Sequence, residues 1–226
     1  MLARPGEIAS TSSPTILFWV LSTGRGLTHG RVPTTDPHTP EICQGSGEAR
    51  LPRRIRHNAD MNSAEQTVER IARLAIGQAL TVAAAESLTS GLIASRLGAG
   101  PDASKWFRGS VVAYQEPVKF EVLGVRRGPV VTRECAEAMA RGVGRLMGAD
   151  VAVAATGVGG PEPSEGKPAG TVYVAVTVRD STTVHELALG GDPEQILEAT
   201  ADHTLELLAT TLTSIHDSDR DGATRI

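Results

Sequence analysis

Ser87, Tyr114 and Lys119 are the side-chain types that nucleophilic catalysis without histidine requires. Ser87 follows the small apolar run Thr81 to Ala85, in "TVAAAESLTSGLIASRLG", where a buried strand would give way to a helix starting near Leu88. Ligands of open α/β sheets sit outside the carboxyl ends of the strands. A helix starting there offers unpaired N–H groups and partial positive charge, which can hold an oxyanion or a phosphate. The alternative is plain: Ser87 or Thr89 could do no more than cap the helix.

A serine hydroxyl needs a base. His185 falls in a late strand and His203 in the last helix, positions that suit surface or structural roles. A neutral lysine can be the base instead. Lys119 sits in the first turn of a helix opened by Pro117. The helix dipole there disfavours its charge by roughly 0.3–1 kcal/mol. Lowering a lysine from about 10.4 toward 7 takes roughly 4–5 kcal/mol. Desolvation or a second polar group must therefore supply most of the shift. Tyr114, ending the preceding strand, could relay a proton or hold the amine. A solvated lysine and a core tyrosine fit the same spacing. A third stretch, "ATGVGGPEPSEGKPAGTV" (155–172), follows a buried strand and could bring backbone amides to a ligand or form only a surface loop. It is not a P-loop: the glycine spacing differs and Pro168 follows Lys167.

The elements that must position these residues are readable from periodicity. Ser63, with Gln66 three residues on, would cap a first helix whose inner face carries Val68, Ile71, Ala72, Leu74 and Ala75. Strands are expected at 81–85, 107–114, 149–156, 171–178 and 183–189, the last two joined by a turn at 179–181. Thr132 would cap a helix from Arg133, and a last helix would run from Asp192 to about Leu212. This alternation predicts an α/β fold, a three-layer α/β/α sandwich around a mixed, mainly parallel sheet.

Residues 1–60 hold six of the 13 prolines, with seven basic and five acidic residues, and show no helical or strand period. They are expected to be a disordered extension, with the working protein starting near Met61, a single domain over 61–214 and a polar tail over 215–226. The whole chain of 226 residues carries a formal charge of −4 and two cysteines. Those features give no reason to expect nucleic acid or an anionic membrane as partner, and they fit a reducing, cytoplasmic setting without disulfides. No run is long and apolar enough to span a bilayer, and no metal-ligand cluster or cofactor motif is found.

Four blocks, "AESLTSGLIASRL", "KWFRGSVVAYQEPVKFEVLGV", "MGADVAVAATGVGGP" and "KPAGTVYVAV", together resemble the CinA C-terminal family over roughly residues 65–212. The likeness is to its stand-alone form, whose characterised activity is nicotinamide-nucleotide amidase. The resemblance implies a cytoplasmic homodimer without metal or cofactor that releases ammonia from nicotinamide mononucleotide. In that reading Ser87 is the nucleophile, Lys119 the base and Tyr114 its partner. Glu86, Thr89, Ser90 and Gly91 would border the substrate, with the N–H groups of Thr89 to Gly91 holding the oxyanion. Thr156, Gly157, Gly159 and Gly160 would line the nucleotide site. The sequence departs from the family pattern at Gln115-Glu116, where a Ser-Asn pair is usual, and at Pro193 and Leu197, where arginines are usual. Arg108 or Lys105 could compensate for those arginines, and Trp106, Phe107 and Phe120 could stack on a pyridine ring. The departures leave two other readings open: a nucleotide-binding or regulatory module without catalysis, and an amidase for an uncharged carboxamide.

Overall fold

A computed structural model describes residues 58–223. The expected disordered extension lies outside these residues except for its last three, 58–60, which are helical. In chain order the elements are α1 (Asn58–Gly77), β1 (Val82–Glu86), α2 (Leu92–Gly98), α3 (Ala103–Trp106), β2 (Phe107–Val112) and α4 (Glu116–Glu121). They continue with α5 (Arg133–Met147), β3 (Val151–Gly157), β4 (Thr171–Val178), β5 (Ser181–Ala188) and α6 (Pro193–Ala223). The sheet order is β2-β1-β3-β4-β5. β1 pairs in parallel with β2 and β3, while β4 and β5 add as an antiparallel hairpin. This is the mixed α/β sheet with helices on both faces that the sequence predicts.

Side-chain alternation sorts the central strands by size. Val82, Val151, Val153, Val172, Val174 and Val176 point to one face, where α1, α2 and α6 cover them with Ile71, Leu97, Leu205 and Leu208. Ala83, Ala85, Ala152, Ala154 and Ala175 point to the other face, under α5. An alanine face leaves room for a helix to lie close, and α5 answers with small residues of its own. A Cβ on Gly144 would stand 3.3 Å from the Ala152 Cβ. A Cβ on Gly142 would overlap the carbonyl oxygen of Leu123. Gly142→Ala is therefore expected to destabilise the fold by about 1–3 kcal/mol despite alanine's better helix propensity, because backbone must move. Chemical denaturation against the wild type checks this.

Two helix ends differ from the sequence reading. α1 begins upstream of Ser63, so Ser63 is not a cap; its carbonyl instead accepts from the Thr67 hydroxyl at 3.0 Å. α6 runs on to Ala223 through most of the segment expected to be a polar tail. Ser214, just before that segment, and Ser218 within it bond back to carbonyls four residues earlier, so their hydroxyls are satisfied within the helix. Thr132 does cap α5, accepting from Cys135 N at 3.1 Å.

Candidate active site

The chain leaves β1 at Glu86, and the expected helix does not start at Leu88. Residues 87–91 form a tight loop, with Ser90 at φ 51° and Gly91 at φ 103°, and α2 begins only at Leu92. The cause is Glu86. Its side chain is fully buried. One carboxylate oxygen accepts from the Thr89 hydroxyl at 2.9 Å, Gly91 N at 2.9 Å and Ile93 N at 3.1 Å. The other accepts from Ala94 N at 2.9 Å and the Ser110 hydroxyl at 3.1 Å. The positive end of α2 is thus already filled by a protein carboxylate.

A cavity of about 400 Å³ opens at the carboxyl end of the parallel strands. Of the sequence-predicted residues, Ser87, Ser90, Tyr114, Lys119, Thr156, Gly157, Gly159 and Gly160 line it. Glu86, Thr89 and Gly91 do not. Glu86 and Thr89 are buried against each other behind the loop, and Gly91 N is directed at Glu86. The expected oxyanion donors change accordingly. Ser90 N bonds to Ser87 O at 3.2 Å, and Gly91 N is taken by the carboxylate. Among the described residues, the N–H groups of Leu88 and Thr89 donate to no protein acceptor.

Lys119 is 1% exposed, the opposite of a solvated lysine. Its amine donates to Ala113 O at 2.6 Å and to Tyr114 O at 3.3 Å. Burial pulls its pKa below the ordinary lysine value, against the opposing pull of Cys135, Glu116 and Glu165. A neutral amine has two hydrogens and one lone pair. The two carbonyls absorb both hydrogens, which leaves the lone pair free to accept. No hydrogen bond joins Lys119 to Ser87; the two share the cavity wall. Tyr114 also departs from expectation. The residue is 68% exposed, and the contact it makes with the amine is through its carbonyl.

The link between nucleophile loop and amine is main chain. Ala113 N donates to Glu86 O at 2.7 Å, and Ala113 O receives the lysine. Ser87 N is pinned to Ala155 O of β3 at 3.1 Å. On the far wall the Thr156 hydroxyl donates to Val130 O at 2.9 Å, and Glu165 accepts from Val130 N and Val131 N at 2.8 Å each. Sequence reasoning missed Glu165, Cys135 and Glu116. Cys135 is buried close to Lys119, and burial pushes its thiol up to about 11. Glu116 stands three residues before Lys119 on α4, whereas Glu165 and Cys135 come near the lysine only by tertiary packing, which no spacing marks.

The remaining wall is apolar where the family resemblance implies arginines. Pro193 and Leu197 of α6 line the cavity. The suggested substitutes lie elsewhere: neither Lys105 nor Arg108 lines it, and Lys105 pairs with Asp102 at 3.1 Å. Trp106 is buried in the core and donates to Pro101 O, and Phe107 and Phe120 pack into the cores on opposite faces of the sheet. None of the three forms a stacking wall for the cavity.

Comparison with known proteins agrees with this architecture. A CinA superfamily protein of Klebsiella pneumoniae superposes with a TM-score of 0.65 at 30% identity, covering 67% of this chain and 98% of that one. A competence/damage inducible protein of Agrobacterium tumefaciens gives 0.63 at 33% identity, covering 67% and 96%. A CinA-like protein of Dictyoglomus turgidum is 39% identical over 146 residues, 62% of this chain and 36% of its own. One from Frankia casuarinae is 33% identical over 201 residues, 77% and 46%. The chain therefore spans less than half the length of these two sequence relatives and nearly all of the two solved chains. The family model described as the CinA C-terminal domain matches residues 64–212, well over half of the sequence, and the chain belongs to that family.

Proposed function

We propose that the chain is an amidohydrolase that releases ammonia from nicotinamide mononucleotide, leaving nicotinate mononucleotide. The observation that carries this reading is the desolvated amine of Lys119 on the same cavity wall as Ser87. The Ser87 hydroxyl attacks the carboxamide carbon while the Lys119 lone pair takes its proton. The oxygen of the tetrahedral intermediate is met by the free N–H group of Leu88, which lines the cavity next to Ser87. Lys119 returns the proton to the departing nitrogen, ammonia leaves, and an acyl-serine ester remains. Water then attacks the ester with Lys119 again as base, and the acid product departs. For the first step the amine and the Ser87 hydroxyl must come within hydrogen-bond reach of one another.

A second reading is favoured by the wall at Pro193 and Leu197: the same chemistry on a carboxamide without a phosphate. Among the described lining residues Lys119 is the one basic side chain, and Glu116 adds a carboxylate. Ammonia release measured on the mononucleotide, the riboside and free nicotinamide separates the readings. Preference for the mononucleotide supports the first, preference for either phosphate-free compound the second. Binding without turnover would instead support a non-catalytic nucleotide-binding module.

A further inference from the structure

Resting on the amidohydrolase reading, we propose that Glu86 is a positioning residue whose carboxylate shapes the oxyanion-binding loop. The loop does not hold its own form by regular structure. Ser90 sits at φ 51°, a left-handed conformation that a serine does not adopt without compensation. From the loop after β1 and the first turn of α2, the hydroxyl of Thr89 and the N–H groups of Gly91, Ile93 and Ala94 all converge on Glu86. With the Ser110 hydroxyl from β2, they make five donors for one carboxyl group.

Five donors around two oxygens define an acceptor-only site. A glutamine there would turn one oxygen into an NH₂ group that faces N–H and O–H donors. The geometry has a directional result. Turning Gly91, Ile93 and Ala94 inward fixes the preceding peptides, and of the two N–H groups left over, that of Leu88 belongs to a residue that lines the cavity next to Ser87. Glu86 itself does not touch the cavity, so any effect on the reaction passes through these peptides. Binding and proton transfer should then survive its loss while stabilisation of the oxyanion does not.

The test compares wild type, Glu86→Gln, Thr89→Val and Ser110→Ala as full chains. Steady-state ammonia release, thermal unfolding and amide hydrogen exchange are measured on each. Glu86→Gln is expected to lower kcat by about 10²-fold, the usual effect of a lost oxyanion donor. KM should stay within about twofold and the pH at which kcat/KM rises should not move, since the lysine is untouched. Exchange at Gly91, Ile93 and Ala94 should accelerate. Ser110→Ala, which removes a donor from β2 and leaves the loop's own bonds in place, should keep kcat within about threefold. A folded Glu86→Gln protein with wild-type kcat overturns the inference, as does a fall in kcat matched by an equal fall in the folded fraction. If Glu86→Gln does not fold, Thr89→Val decides: a folded protein with kcat down about tenfold supports the inference, and unchanged kcat overturns it. Absence of ammonia from the wild type overturns the amidohydrolase reading itself and is seen before any variant is compared.

Discussion

Ser87→Ala is expected to lower ammonia release by about 10⁴–10⁶-fold while leaving the fold intact. The range follows from what removal of a nucleophile costs in serine hydrolases, where binding and the oxyanion site account for the residual rate. The serine side chain makes no hydrogen bond among the described residues, so nothing structural depends on it. Its backbone N–H, bonded to Ala155 O, is kept by alanine. The thermal midpoint should therefore stay within a few degrees. An alanine variant that still deamidates at the wild-type rate refutes the role of Ser87, and a variant that binds product with unchanged affinity shows that the cavity survived. An ester trapped on Ser87 by acid quench during turnover of the wild type would identify the nucleophile directly.

Lys119→Met is expected to reduce kcat by about 10²–10⁴-fold, the range for loss of a general base. Methionine fills the space but offers no lone pair of comparable basicity and no donor. Two stability effects oppose each other. The variant relieves the desolvation of a buried amine. It also leaves Ala113 O without its donor, at a cost of about 1–3 kcal/mol. The wild type should show a pH signature that the variant lacks. Burial lowers the folded-state pKa of Lys119, so the unfolded chain binds the proton more tightly. Between the lowered folded value and the ordinary value near 10.5, the unfolded state holds one more proton, and the lysine's contribution to stability rises with pH. Below that window both states are protonated and the burial penalty is present in full. Activity should follow the same group: kcat/KM rises as pH climbs through the lowered pKa. Denaturation and rate profiles measured on both proteins check this, and a profile unchanged by Lys119→Met would assign the base elsewhere.

Much of this fold is written in local pattern. Val151 to Ala155 and Val82 to Ala85 are short, continuous and apolar because both faces of their strands are covered, and such runs announce buried strands without any tertiary knowledge. The inner face of α1 was equally legible, since Val68, Ile71, Ala72 and Ala75 fall on the helical period and are all buried. The start of α2 was not. A local cap, Ser87 or Thr89, was the natural expectation, but a buried glutamate from the end of the preceding strand serves instead, and that preference depends on a fold that covers it. The site divides in the same way. Ser87, Lys119 and the glycines after Thr156 reach the cavity because strand ends and first helical turns place them there. The contact that Tyr114 makes with Lys119 is through its carbonyl, which every residue possesses, so the residue type does not announce it. Glu165 stands thirty-odd positions from the amides it binds, and no periodicity carries that distance.

The peptide of Ala113 has a consequence for how such a protein can diverge. It takes Glu86 on one side and the lysine on the other, both through atoms common to all amino acids. The relative placement of Ser87 and Lys119 is thus insulated from the identities of their neighbours. Drift at Gln115 and Glu116 can recolour the rim of the cavity, and with it the choice of molecule admitted, while Ser87 and Lys119 keep their spacing.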